Sequence, residues 1–587
     1  MTKTVLLLNV HRIIPSSMEI AWEIPGGLLS LGSWLETHGY APEIYSCEPI
    51  RAMALIREKA EGSHLLAVGL YCDFENQVEV QELGPWIAGQ FAVPVLLGGP
   101  QAVGFDARFL KRTGCLAAVV GEGEVPLLRL LQCLPSPAPD WRKIPGLLYL
   151  GEDGSLISTG PGEIVEDLDL IPLPAYHLCP DYILQPRYNI MTGRGCPYRC
   201  AFCQEGAAKY RARFRSVPSI LQEIETVLGR YPVVDYIAFT DDTFTLSLER
   251  VREICAGLAR LRTRKNFRWY CEAHVERLDR WPEMLDLMVP SGLVRLQIGI
   301  ESASRKVLDA CRKKITPAMV LRVVRNAVKA GVRQIFACIL TGAPFESGKI
   351  TGQNCRFVEK LIRTAPGIIE ISPSPVMPYP GTEITRTPEK FGLKVLDPSG
   401  GTAISDFPLT ESTGLDREAI AQGQKYLVDS MVEVMWKLFR EGKVPHERIA
   451  YAFRERVERQ SFIWRRVVYD RVPFLSPYYS LIARRAVRRS REIPRGELPG
   501  WRPQRILELW HDVDFSEGYP AIGRYVLSPL EFDLLLHSTG KLTLQAVLDA
   551  VYPKFAGLYR RRREFDRTCM KKMRLFEEKY WLAYAPL

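Results

Sequence analysis

The chain has 587 residues, of which 47% are hydrophobic and 25% charged, with a net charge of +10. This composition excludes a disordered or low-complexity protein and supplies enough apolar material for three or four domains. No apolar run reaches the roughly 20 residues that span a bilayer, and the opening MTKTVLLLNV, with Asn9, His11 and Arg12 close behind, is too short for a signal peptide.

A cytoplasmic protein with reduced thiols is therefore expected, and most of its 14 cysteines read as small buried apolar residues. The first 135 residues alternate short apolar runs at 4–10, 41–46, 64–71, 93–99 and 115–121 with helical stretches such as GGLLSLGSWLETHG. Five buried parallel strands follow from that pattern, in a doubly wound, Rossmann-like α/β domain over residues 1–140. Ligands of such sheets sit beyond the carboxyl ends of the strands. Those ends carry NVHR, YCDFEN, GGPQA and GEGE, so the candidate contacts are Tyr71, Asp73, Glu75, Asn76, Gly98, Gly99, Pro100, Gln101, Gly121 and Glu122. Gly98 and Gly99 would let the backbone approach a bulky ligand closely. The G-x-G-x-x-G fingerprint is absent after the first strand, which argues against a nicotinamide cofactor.

Proline-rich stretches mark a linker over 141–180. A second alternating series follows, with strands at 187–193, 234–242, 267–274, 293–302, 332–344 and 367–382 separated by helical segments. Six βα units imply a parallel sheet curved toward a partial barrel over residues 181–395. Its catalytic rim would carry Asp241, Asp242, Glu272, His274, Glu301, Thr341 and Ser372. The remainder, 396–587, reads as mainly helical, a cap or substrate-recognition region, with one long amphipathic helix and a helix pair whose second member starts near Thr543. Its basic runs, RRAVRRSR (484–491) and RRRR (560–563), lie beside acidic residues and read as solvated helix faces.

GRGCPYRCAFC (193–203) follows the first strand of the second series and places Cys196, Cys200 and Cys203 within eight residues. Three thiolates can hold three irons of a four-iron cluster and leave the fourth open. The rival is zinc, which wants four closed ligands; no further cysteine or histidine follows at finger spacing, and His274 could supply one through space.

The motif resembles the C-x-x-x-C-x-x-C signature of the radical S-adenosylmethionine (SAM) enzymes, with Tyr198 and Phe202 as its aromatics. The preceding domain, with IPGGLLSLGSWLETHGY, VLLGGPQA and VVGEGEVPLLRLL, resembles the cobalamin-binding domain of the B12-dependent subgroup, and the pair of domains resembles tryptophan and peptide C-methyltransferases. The resemblance implies a [4Fe-4S] cluster on Cys196, Cys200 and Cys203, whose open iron would chelate SAM. Asp241 and Asp242 stand where Gly-Gly-Glu is often found, so their loop would bind the SAM amino group mainly through backbone carbonyls. Glu301 would meet the ribose or methionyl group. Glu272, the candidate catalytic residue, could contact substrate or ligand, approach the open iron, or pair with Arg268 or Arg277.

The D-x-H-x-x-G motif of cobalamin mutases is absent, so cobalamin would bind with its base displaced and no histidine below, with residues 71–77 under the corrin and His11 a lone polar loop residue. The reaction implied is methyl transfer from SAM, by way of cobalamin, to an unactivated carbon of an amino-acid, peptide or other natural-product substrate. A small-molecule or peptide substrate, an external one-electron reductant such as flavodoxin or ferredoxin, and a monomer without nucleic-acid or membrane partners complete that expectation. The alternatives are a B12-dependent cyclase or rearrangement enzyme, or a nucleic-acid- or peptide-binding protein with a structural cluster.

Overall fold

The computed structural model describes residues 3–11, 24–62, 64–136, 140–180, 187–205, 211–396, 408–444, 448, 477–478, 481, 487–516 and 518–586. Most of the loop after the first strand, and Arg484 and Arg485 of the first basic run, lie outside the described residues. The chain divides into two compact units, 1–431 and 432–587.

In the first unit, β1 (Thr4–Val10), β2 (Ala41–Cys47), β3 (Leu65–Tyr71), β4 (Val95–Gly98) and β5 (Ala117–Val119) form a parallel sheet in the order 2-1-3-4-5. The strands are near-continuous apolar runs because both faces are covered. Leu6, Leu8 and Val10 enter one core with Leu70, Val80 and Leu83, while Val5 and Leu7 enter the opposite one with Leu29, Leu35 and Leu130. The sheet continues past the expected boundary at 140, because β6 (Leu147–Leu150) and β7 (Leu156–Ser158), from the stretch read as linker, add two antiparallel strands. Its topological switch lies between β1 and β3, the place where sheets of this kind bind ligands beyond the strand ends.

The second sheet begins with β8 (Arg187–Ile190). Two short antiparallel strands, β9 (Gly193–Arg194) and β10 (Arg213–Phe214), then bracket the cysteine loop. β11 (Tyr236–Phe239), β12 (Arg268–Ala273), β13 (Leu293–Glu301), β14 (Gln334–Thr341) and β15 (Ile369–Pro375) join β8 in one parallel sheet that follows chain order. The connecting helices start where the sequence supplies caps. Ser216 accepts from Ser219 N–H ahead of Val217–Arg230, and Thr316 accepts from Met319 N–H ahead of Pro317–Ala330, which stops at left-handed Gly331.

The second unit has its own core, including Leu534, Leu535, Val547, Phe565 and Phe576. Ser528 and Glu531 form a capping box for the helix Pro529–His537, and Thr543 caps Leu544–Phe555, the helix pair expected from the sequence. Strands Arg502–Arg505 and Leu582–Ala585 pair antiparallel beside them. The described part of the first basic run is no helix face: Arg488 bridges Tyr584 through its backbone, Arg489 is buried against Tyr478, and a 3-10 turn follows. In the second run Arg562 pairs with Asp549 and Asp566. No described helix is long and apolar enough to cross a membrane.

Candidate functional site

The cysteine loop is pinned from three sides. Thr192, fully buried, donates its backbone N–H (2.6 Å) and its hydroxyl to the Asp241 carboxylate at the end of β11. Gly195 N–H donates to Asp242 Oδ2 (2.9 Å), and Ala201 N–H donates to the Cys311 carbonyl (3.1 Å). Burial raises the Asp241 carboxyl to about 6 despite the Thr192 bonds. Both aspartate side chains therefore hold the loop, and the Asp242 carbonyl accepts from the Thr243 hydroxyl.

Burial pushes the Cys200 thiol up to about 11; nearby Lys313 opposes this, and Cys203 and Cys196 add to it, so the three sulfurs lie within electrostatic reach of one another. Among the described residues no three His, Cys, Asp or Glu side chains converge on one ion.

Tyr198 stacks on His274 with centroids 3.6 Å apart, and its hydroxyl donates to Glu276 and accepts from Arg277. His274 Nδ1 accepts from Glu276 N–H, which leaves the proton on Nε2, a buried atom without a hydrogen-bond partner among the described residues. Burial first, then Lys313 and Arg277, lower His274 to about 3 and keep it neutral. Phe202 packs against the apolar cluster of Val307, Ala343 and Val376.

Glu272 does not pair with Arg268 or Arg277. Arg268 goes to Asp235, whereas Glu272 Oε1 accepts from Gln297 Nε2 at 2.9 Å, its neighbour across β12 and β13. Burial and then Asp242 raise Glu272 to about 7. Glu301 closes β13 in the left-handed region (φ 53°) after a bulge, and its Oε1 accepts from Lys313 Nζ at 2.8 Å. Lys313 carries no periodic signal in the sequence that would have marked it.

On the first sheet the expected residues divide. Asp73 accepts from the backbone N–H groups of Glu75 and Asn76, while Asn76, buried, bonds the Tyr71 carbonyl, Asn9 and Asp73 N–H. These two side chains build the loop. Burial raises Tyr71, Asp73 and Glu75. Gly99, at φ 104°, packs on the Cys72 backbone, where a Cβ would meet the Cys72 carbonyl at 2.5 Å; its close approach is to the protein, not to a ligand. Beside Gly98 the nearest atom to such a Cβ is 4.0 Å away, so that position alone of the pair keeps an open face. Gln101 is buried, its N–H bonded to the Cys72 carbonyl, and Gly121 adopts φ 85°. Glu122 spends both carboxylate oxygens on Arg194 and Arg213. His11 bonds Ser46, and burial lowers it to about 4.

The carboxyl-end loops of the two sheets meet. Gln204, next to Cys203, donates to the Pro100 carbonyl at 2.7 Å, and Phe74 lies 5.5 Å from Tyr379. A Cβ on Gly104 would collide with Pro380. Arg194 reaches Glu122 and Glu124, both at 2.7 Å.

Residues 190–349 match the family model of the Radical SAM superfamily. The uncharacterized methyltransferase PH0819 of Pyrococcus horikoshii is 30% identical over 302 residues, 49% of this chain and 62% of that one, so the chain spans less than two thirds of this relative. The structure of the radical SAM methyltransferase TsrM from Kitasatospora setae, with cobalamin and a [4Fe-4S] cluster bound, superposes with a TM-score of 0.54 at 20% identity, over 67% of this chain and 80% of its own. That of the cobalamin-dependent SAM radical enzyme OxsB, with aqua-cobalamin and SAM bound, gives 0.57 at 16% identity, over 77% and 72%. At these identities the likeness is one of fold. The segment that matches the Radical SAM superfamily contains the cysteine loop and the strands β11 to β14.

Proposed function

We propose that the protein is a cobalamin-dependent radical SAM C-methyltransferase acting on an unactivated carbon of an amino-acid, peptide or other natural-product substrate. The observation that carries this reading is the meeting of the two rims, Gln204 on Pro100 and Phe74 on Tyr379, with the cysteine loop on one side and the open Gly98 on the other. The methyltransferase relative and the cobalamin- and cluster-bound structures of similar fold support it. When bound, the cluster with SAM would supply one-electron cleavage and cobalamin would carry the methyl group. The chain's part is to position and to exclude water. Cys196, Cys200 and Cys203 would hold the cluster, Asp241 and Asp242 set the loop, and Glu272, poised near neutrality, holds or releases a proton at Oε2 while Gln297 fixes Oε1. A one-electron donor of the flavodoxin or ferredoxin kind completes the system.

Anaerobic reconstitution of the full chain should give about four irons per chain, and SAM with an isotope-labelled methyl group should transfer the label to bound cobalamin. Replacing all three cysteines by Ala should remove the iron and leave corrin binding intact. Full iron content in that variant, or no label on cobalamin in the loaded protein, would overturn the proposal.

A further inference from the structure

The rim holds one buried cation to which the proposed function gives no task. Lys313 is only 11% exposed on its side chain, and its ammonium has three donors but, among the described residues, a single hydrogen-bond partner, Glu301 Oε1 at 2.8 Å. Two donors remain unspent in a place where an unmet polar hydrogen is costly. The chain brings this residue to the cysteine loop directly. The Cys311 carbonyl accepts from the N–H of Ala201, which stands between Cys200 and Phe202, so the backbone two residues before Lys313 is fastened beside Cys200.

Several features make room for this group. Gly299 on β13 has no space for a side chain, since a Cβ there would collide with Glu301 Oε1 and lie 2.7 Å from Lys313 Nζ. The β13 bulge and the left-handed backbone of Glu301 (φ 53°) turn the carboxylate toward the lysine, and Arg312 (φ 55°) turns the chain just before it. Non-glycine residues at such angles are strained and persist where their surroundings hold them.

Resting on the cluster reading, we infer that Lys313 is the counter-charge of the metal cluster, a positioning residue brought to the cysteine loop by the Cys311–Ala201 bond and tethered by Glu301. Reduction adds an electron to a cluster that is already anionic, and net charge and hydrogen bonds to the sulfurs set its potential. A fixed cation in a low-dielectric site eases that step far more than one in water does. Glu301 works in the opposite sense, and the pair sets the balance.

The test is the midpoint potential of the reconstituted full-length protein, followed by electron paramagnetic resonance in the absence of SAM. Lys313→Met should keep its irons and shift the midpoint to more negative values, Lys313→Arg should return it toward wild type, and Glu301→Gln should shift it to more positive values. An intact cluster whose potential does not move in Lys313→Met, or the same sign of shift in Lys313→Met and Glu301→Gln, would overturn the inference. Should Lys313→Met fail to keep iron, Glu301→Gln decides, and a negative or absent shift refutes the role. A wild-type protein with no four-iron signal would instead overturn the cluster reading on which the inference stands.

Discussion

Glu272 shows how burial gives one side chain a behaviour its sequence position does not announce. It lies beside Gln297 on the next strand, and its carboxyl is raised from 4.5 to about 7 by burial first and by Asp242 second. An acid whose folded value is raised binds its proton more tightly in the native state, so the native state is disfavoured as pH rises through the window from 4.5 to 7. The full penalty, about 3 kcal/mol, stands above that window. Glu272→Gln keeps the bond from Gln297 and removes the titration, so its denaturation midpoint should exceed that of wild type at pH 8 and converge with it below pH 4.5; equal midpoints at both values would show that Glu272 is solvated. The same scale explains which site residues were legible. That Asp73, Asn76 and Glu122 lie on the rim follows from the strand pattern, but whether a side chain faces a ligand or its own loop depends on backbone angles and on partners as distant as Arg194, which pattern cannot supply.

The cysteine loop is an element held by its neighbours rather than by its own conformation. Thr192 and Asp241 form a buried hydrogen-bonded pair at its base, with the Thr192 carbonyl accepting in turn from Arg250. Thr192→Val keeps the shape and removes the hydroxyl, taking one hydrogen bond from a buried carboxylate at a cost of about 1–3 kcal/mol. Reconstituted Thr192→Val should therefore release iron to a chelator faster than wild type while binding cobalamin equally well; unchanged iron release would show that the loop does not depend on this anchor. The strands around it were readable because parallel strands buried on both faces leave runs such as TVLLLNV and LVRLQIGIE. β6 and β7 were not, because LLYL and LIS are too short to carry a period and follow a proline-rich stretch that reads as a boundary.

At the scale of the whole first unit, the two sheets are distinct in the sequence, yet nothing in the sequence says how they are joined. Arg194, the arginine that precedes the first cysteine of the loop, turns out to reach across to Glu122 and Glu124 beyond the last parallel strand of the other sheet, and Arg213 adds a second contact to Glu122. Burial alone would raise Glu124, which is 4% exposed, but Arg194 and Ser30 outweigh it and its carboxyl lies below its ordinary value. For a depressed carboxylate the stabilisation is fully present above the unfolded value of 4.5 and is lost as pH falls through the folded one. Arg194→Ala leaves Glu124 buried with only the Ser30 hydroxyl and halves the partners of Glu122, a change of the kind that costs about 3–5 kcal/mol. The variant should unfold at lower denaturant than wild type at pH 7.5, and the gap should narrow on acidification as the stranded Glu124 carboxylate takes up a proton. A gap that is small at pH 7.5, or that widens in acid, would mean that the sheets are held together by the apposition of Gly104 with Pro380 and of Phe74 with Tyr379, with the arginine a bystander.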